Sequence, residues 1–239
     1  AQLSLVLGHG VTRLSTRQLL ARPDARRIDI PADVAYHRTM HYRAVPMRAL
    51  LGELQPDDHL QFVALDGFAA EIDAGPLLNT HGAQAWLAIE DPAAPWPTLG
   101  RNKPGAGPFY LVWMHPEAGH INPEQWPYQI RSIRLLASVS ERFAAMRPDP
   151  ALPVDSPVRR GFVVFQTHCM TCHTLNGEGD AQLGPDLNIP HNPTEYLRGD
   201  LLRAYIRNPQ SVRQWPQARM SGFNQQQLSD TELDALLAY

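Results

Sequence analysis

The stretch Cys169-Met170-Thr171-Cys172-His173 decides how the second half of this 239-residue chain is interpreted. Its C-x-x-C-H spacing is the attachment pattern of a c-type haem. Two thiols two residues apart can each form a thioether with one haem vinyl group, and the histidine that follows can bind the iron. The pattern therefore predicts one covalent haem attached to Cys169 and Cys172, with His173 as an axial ligand of the iron.

Two other kinds of site use a C-x-x-C pair. A thioredoxin-like redox pair needs a βαβ context, and no such pattern surrounds these residues. A four-cysteine zinc site needs a second pair, and Cys169 and Cys172 are the only cysteines in the chain. Both observations favour the haem.

The segments around this motif extend the pattern over about residues 157–239. A helix is predicted over 159–167, with Gly161 and Phe162 inside it, and Ser229-Asp230-Thr231-Glu232 is a capping box that opens a last helix. Gly184-Pro185-Asp186-Leu187 lies between them. In this order, the pieces resemble a class I cytochrome c, which implies an all-α domain over residues 158–239.

The resemblance also implies the surroundings of the iron. The carbonyl of Pro185 accepts a hydrogen bond from Nδ1 of His173, and Met220 is the second axial ligand. Other candidates for that ligand are His168, Met170 and His191, but the first two flank the attachment cysteines and His191 lies in a proline-rich loop. A Met/His pair raises the reduction potential and leaves no open coordination site. The alternative for Met220 is a core methionine.

Haem propionates need hydrogen-bond donors. The candidates, each of which could also be an ordinary exposed side chain, are Arg198, Arg203, Arg207, Arg213 and Trp215.

Residues 1–148 combine short alternating apolar runs with turn signals, which predicts a mixed α+β domain. Asp66-Gly67 between two such runs predicts a hairpin. Strands are predicted at 3–7, 26–30, 60–65, 68–72, 83–89, 108–114 and 126–135, and short helices at 15–20, 46–52 and 138–146.

The order of motifs in this region resembles the molybdopterin-binding domain of the sulfite oxidase superfamily. The motifs are Tyr42–Leu51, Leu65–Phe68, Trp86–Ala88 and Gly107–Val112. In that family a cysteine thiolate binds the molybdenum, and the first 148 residues contain no cysteine. The resemblance therefore implies the fold, whereas molybdopterin is not expected.

Copper is a further alternative for the first domain, because imidazole and thioether suit it. The candidate ligands are His37, Met40, His41 and Met47, and, further along, His115 and His120 near Met114. The methionines are equally typical core residues. The same choice applies to Trp96, Trp113, Trp126 and Tyr128, which either pack the core or line a pocket; we expect the core.

Four prolines between residues 147 and 157 predict a semi-rigid linker. We therefore predict three parts: an α+β domain over 1–148, a linker over 149–157 and the haem domain over 158–239.

A net charge of −3 gives no reason to expect nucleic acid, and no apolar run is long enough to cross a bilayer. Haem attachment of this type takes place outside the cytoplasm. We therefore expect an exported, periplasmic protein whose start at Ala1-Gln2-Leu3 follows signal-peptide cleavage.

Electron transfer to or from a redox partner protein is the leading prediction, with the first domain docking or regulating. One alternative is an oxidoreductase whose first domain binds a substrate or second cofactor and delivers electrons to the haem. Another is a redox or ligand sensor. The sequence lacks the G-x-G-x-x-G, H-E-x-x-H and G-x-S-x-G motifs, which favours a carrier over an enzyme.

Overall fold

The computed structural model describes residues 1–8, 10–181 and 183–239. The chain divides into two compact units, Ala1–Ser138 and Val139–Tyr239. Each unit has its own hydrophobic core.

The first unit is built on two sheets. Among the described residues its strands are β1 (Gln2–Leu7), β2 (Gly10–Ser15), β3 (Arg26–Ile30), β4 (Met40–Pro46), β5 (His59–Ala64), β6 (Ala69–Asp73), β7 (Gln84–Ile89), β8 (Phe109–Met114) and β9 (Ile130–Leu136). One sheet has the order β2-β1-β9-β5-β6 and the other β3-β4-β7-β8. Neighbouring strands are antiparallel except β1 and β9, which are parallel. The mixed α+β prediction for this region is confirmed.

Short helices connect these strands, and local sequence explains their ends. They are α1 (Thr16–Leu20), α2 (Met47–Leu51) and α3 (Ala74–Leu78). Ser15 begins α1 with a capping box that includes Gln18. Gly52 ends α2 with a φ of 70°, a conformation that glycine adopts without steric cost. The β5–β6 hairpin turns at the predicted Asp66-Gly67.

Both sheets contribute to one core. Phe62 and Ile133 of the first sheet and Leu87 and Leu111 of the second are fully buried. Trp113 and Trp126 are buried as expected, and Trp96 packs edge-on against Tyr42 with 4.8 Å between ring centroids. Tyr128 differs, because it is 36% exposed at the edge of this group.

Helices form the second unit. They are α4 (Val139–Arg142), α5 (Pro157–His168), α6 (Pro193–Tyr196), α7 (Asp200–Arg207), α8 (Pro209–Val212) and α9 (Asp230–Ala238). Ser156 caps α5, and Ser229 and Glu232 form the predicted capping box of α9. The rings of Phe162 and Phe165 pack against Tyr239, with centroids 5.5 and 5.6 Å apart.

The boundary between the units lies ten residues before the predicted one, between Ser138 and Val139. Val139 and Met146 are both buried in the second core. The proline-rich segment 149–157, predicted as a semi-rigid linker, is held against α5, since Arg159 of α5 donates to the carbonyls of Leu152 and Pro150 at 3.0 Å each. Prolines indicate turns in this segment, but the turns fold back onto α5.

Two predicted elements are shorter than expected. The strand predicted over 126–135 begins at Ile130, because Gln129 has a left-handed φ of 54° that breaks extended pairing. The helix predicted over 138–146 divides into α4 and a 3-10 helix, Ala144–Met146. Among the described residues, no helix is both long and apolar enough to cross a membrane.

Candidate haem site

The C-x-x-C-H motif forms a tight turn at the carboxyl end of α5. The backbone N–H of Cys169 donates to Phe165 at 2.9 Å, and the N–H of His173 donates back to Cys169 at 2.9 Å. This turn holds the two cysteines and the histidine on neighbouring positions. Cys169 and Cys172 are both thiols, and each is partly exposed.

The imidazole of His173 is held through one of its two nitrogens. Nδ1 lies 2.8 Å from the carbonyl oxygen of Pro185, and since a carbonyl only accepts, Nδ1 carries the proton. Nε2 therefore keeps its lone pair, which is the form that binds a metal. Burial lowers the pKa of His173 in spite of this hydrogen bond, so the ring is neutral near pH 7.

Gly184 makes this arrangement possible. A Cβ at position 184 would lie 2.6 Å from Nδ1 of His173, closer than real Cβ contacts allow. The N–H of Gly184 also donates to the carbonyl of Cys172 at 2.7 Å. The segment that carries Pro185 is thus hydrogen-bonded directly to the attachment turn.

Asp186 fixes the loop on the other side of Pro185. Its carboxylate accepts the backbone N–H groups of Gly177, Asn188 and Ile189, each at 2.8 Å. Burial would raise the pKa of Asp186, but these hydrogen bonds outweigh it and lower the pKa. The carboxylate therefore stays charged and holds segment 174–178 against segment 185–189.

Asp186 belongs to the motif Gly184–Leu187, but the motif by itself predicted no role for its carboxylate. An aspartate followed by short loop residues commonly accepts backbone N–H groups two or three positions later. That local pattern was the available signal, although it does not reveal the bond to Gly177.

Helix α7 carries apolar side chains that the described part of the protein covers only in part. None of its residues is fully buried, and Leu201 is 50% exposed. Leu202, Tyr205 and Ile206 are half-buried on the same short helix. Amphipathic helices normally bury their apolar side, so this face suits an apolar cofactor.

Met220 is half-buried at the end of the segment that follows α7. It packs against a cluster formed by Val164, Phe223, Leu228 and Leu233. The segment is fastened to α7, because the N–H of Phe223 donates to Ile206 at 3.1 Å. A Cβ on Gly222 would collide with the carbonyl of Arg207, so this approach also needs glycine.

The other candidates for the second ligand have different surroundings. His168 is buried edge-on against Phe223, with ring centroids 5.5 Å apart. Met170 is buried in the cluster that contains Phe165. His191 is largely exposed and lies 3.3 Å from Glu195.

The predicted propionate donors also differ in the contacts that they make. Arg203 is paired with Asp234, and Arg207 donates to the carbonyl of Phe223 at 3.0 Å. Arg213 lies over the ring of Trp215, 5.5 Å from its centroid. Of these arginines, Arg203 and Arg207 are therefore already engaged by protein acceptors.

These features fit a c-type haem. Two thiols lie beside a neutral imidazole whose Nε2 keeps its lone pair, and the apolar side chains of α7 are partly exposed. A covalently attached, largely apolar macrocycle needs this combination of groups.

The copper candidates of the first unit differ in their surroundings. Met40 and Met47 are buried in its core, whereas His41 is exposed and lies 2.6 Å from Asp29. His115 and His120 flank a 3-10 helix, Pro116–Gly119, both with left-handed backbone angles. Across residues 1–8, 10–181 and 183–239, no group of three or more His, Cys, Asp or Glu side chains could hold a metal ion.

Comparisons with known proteins matched a family model and a solved structure. No curated protein matches the chain. Among solved structures the chain is similar to the sulfane dehydrogenase SoxCD from Paracoccus pantotrophus, at 15% sequence identity and a TM-score of 0.39. That match covers 59% of this chain and 39% of the other, well under two thirds of its length. Residues 158–239 match the family model described as Cytochrome c, so the C-terminal part of the chain is a cytochrome c domain.

Proposed function

We propose that this chain is a periplasmic monohaem class I cytochrome c that passes single electrons to or from a redox partner, with the first unit serving for docking or regulation. The observation that carries the proposal is the imidazole of His173, which Pro185 fixes beside the two thiols of the attachment turn. A bound haem would supply an iron that accepts and releases one electron.

Different residues of the chain would hold different parts of the haem. Cys169 and Cys172 would form the thioethers, and His173 and Met220 would be the axial ligands. Pro185 sets the tautomer of His173 and raises the basicity of Nε2, as partners of metal-bound histidines do. The partly exposed apolar side chains of α7 would exclude water from the ring.

A fixed ligand environment also favours fast electron transfer. Gly184 fastens the Pro185 segment to the attachment turn, and Phe223 fastens the Met220 segment to α7. Because both segments are anchored in the fold, little rearrangement is needed when the charge changes. The Met/His pair would raise the reduction potential relative to two histidines.

A redox titration of the purified holoprotein tests the proposal. We expect one reversible one-electron step and one iron per chain. Metal and pterin analysis of the same sample is the companion measurement. Stoichiometric molybdenum, copper or pterin would contradict a simple carrier and assign a second redox centre to the first unit.

A further inference from the structure

Charge is segregated in the sequence around the ligand residues. Residues 171–196, the acidic segment, contain four carboxylates and no lysine or arginine. Residues 197–220, the basic segment, contain five arginines and one aspartate. His173 lies in the acidic segment, and Met220 ends the basic one. Such charges can orient an approaching charged partner where their side chains are exposed and unpaired.

Only part of the basic segment is neutralised by the fold. Arg203 pairs with Asp234, and Arg207 lies 2.6 Å from Asp230. The side chains of Arg198, Arg213 and Arg219 are exposed and have no ion-pair partner within the part of the chain that the structure describes. Their positive charge is therefore available to something outside the protein.

Arg213, Trp215 and Arg219 lie on one internally bonded loop, which we call the arginine–tryptophan patch. The side chain of Gln210 holds the backbone of Trp215 on both sides, at 3.0 and 3.1 Å. The N–H of Ala218 closes a turn onto Trp215 at 3.0 Å. Trp215 is 49% exposed. Exposed tryptophan and arginine are the residue types most enriched at protein interfaces.

We infer that the arginine–tryptophan patch is the docking site for the redox partner, and that this partner is a protein with carboxylates around an apolar centre. The inference rests on the proposed electron-transfer function. Arg219 directly precedes Met220, so a partner seated on the patch lies next to the ligand segment. Carboxylates would pair with the arginines, and an apolar centre would cover Trp215.

The charges favour a protein over an anionic membrane as the occupant. The three unpaired arginines are each worth about 1 kcal/mol near an anionic lipid surface, which is too little for stable binding. The acidic segment and the net charge of −3 would also be repelled by such a surface.

Stopped-flow oxidation of the reduced holoprotein tests the surface charge at the patch. The variant is Arg213→Glu/Arg219→Glu, and the matched control is Arg147→Glu/Arg160→Glu, two exposed arginines outside the basic segment. Each pair of changes takes the net charge from −3 to −7. With hexacyanoferrate(III) at low salt, we expect the patch variant to react about tenfold more slowly and the control within about twofold of the natural chain.

The cationic oxidant tris(phenanthroline)cobalt(III) should show the opposite order, with the patch variant reacting faster. Equal slowing of both variants with hexacyanoferrate(III) would overturn the inference, because net charge alone would then explain the rates.

The class of partner is tested with a deca-glutamate peptide and with phosphatidylglycerol vesicles. The peptide should shift the indole N–H resonance of Trp215, and the patch variant should not respond. Vesicle binding that depends on Arg213 and Arg219 would contradict a protein partner. A holoprotein that carries its haem and titrates normally but fails these tests overturns the docking site alone, whereas loss of haem attachment would overturn the proposed function itself.

Discussion

At the scale of single residues, Pro185 and Met220 would serve the proposed haem site in different ways. Pro185 fixes which imidazole nitrogen of His173 carries the proton, so it would affect a bound iron only through His173. Met220 would contact the iron directly with a soft thioether. A change at Met220 should therefore alter the ligand set, while changes near Pro185 should alter the basicity of a ligand that stays bound.

Met220→Ala should abolish the weak methionine–iron charge-transfer band and lower the reduction potential by on the order of 100 mV, because the thioether favours ferrous iron. Absorption spectroscopy and a redox titration measure both effects. His191→Ala is the matched control, since His191 is exposed beside Glu195, and it should leave both unchanged. A band that persists in Met220→Ala would show that another residue is the ligand.

His59 of β5 predicts a pH dependence in the first unit. Its Nε2 lies 2.7 Å from Glu71 and its Nδ1 lies 3.0 Å from Asp73. Burial alone would lower the pKa of His59, but the hydrogen bonds to the two carboxylates outweigh it and raise the pKa to about 9. The charged imidazolium is thus favoured in the folded state.

Because this pKa is raised, its stabilising contribution is complete below about pH 6.5 and is lost as the pH rises through about 9. The contribution is on the order of 3 kcal/mol, since one unit of pKa corresponds to about 1.4 kcal/mol. Thermal unfolding between pH 6 and 10 should show the decline in the natural chain and a much flatter profile in His59→Gln. His41→Gln, at an exposed histidine, should keep the natural profile. An NMR titration that places His59 near 6.5 would refute this assignment.

At the scale of secondary-structure elements, α5 and α9 approach each other at Gly161. A Cβ at this position would collide with the carbonyl oxygen of Ala235. Gly161→Ala should therefore force the helices apart, although alanine itself favours the helix. We expect a loss of about 1–3 kcal/mol in unfolding free energy, measured by denaturant titration. Val163→Ala on the exposed side of α5 should change it by less than about 0.5 kcal/mol. Equal effects would rule out close packing at Gly161.

The segment before α5 belongs to the second core. Met146 is 1% exposed, and its carbonyl accepts a hydrogen bond from the hydroxyl of Tyr239 at 2.8 Å. Nearby, Asn176 donates to the carbonyl of Ala145 at 2.7 Å. Residues 139–146 thus support the loop that follows His173.

Met146→Ala should lower the unfolding free energy of the second unit by about 2–4 kcal/mol, because it removes a buried side chain that the surroundings cannot refill. Val154→Ala, at an 89% exposed position in the same segment, is the control and should have little effect. Unfolding followed through the haem absorption reports on this unit alone. A Met146→Ala variant as stable as the control would mean that the segment is a simple linker.

Sequence patterns predicted these elements unevenly, for physical reasons. β3 and β7 were predicted almost to the residue, since alternation or apolar runs mark strands that bury a side. β2 was missed because its residues are mostly exposed and carry no such alternation. α3 and α8 were missed because helices of four or five residues are too short to show a helical period. The boundary at Ser138 was missed because Met146 is buried in the second unit, whereas the prolines that follow it indicate a linker.

At the scale of the whole molecule, the sequence predicted those parts of the candidate site whose residues are close together in the chain. The motif at residues 169–173 predicted a covalent haem, and the resemblance of the flanking segments predicted roles for Pro185 and Met220. The structure contains the predicted hydrogen bond between His173 and Pro185, whereas the ligand role of Met220 stays a prediction. The support given by Asp186 and Gly222 depends on contacts between segments distant in sequence, which no local pattern encodes. In the first unit, the structure shows two sheets around one core. The role of this unit in docking or regulation is a proposal.

A single covalent haem is the central claim, and acid–acetone extraction followed by a pyridine haemochrome spectrum tests it most directly. The sample is the full chain produced in the periplasm of a host that attaches c-type haem. We predict one haem per chain that stays with the protein and gives the spectrum of two thioether bonds, and a Cys169→Ala/Cys172→Ala chain that retains none. Haem that is absent from the natural chain, or that is extracted from it, would contradict the account.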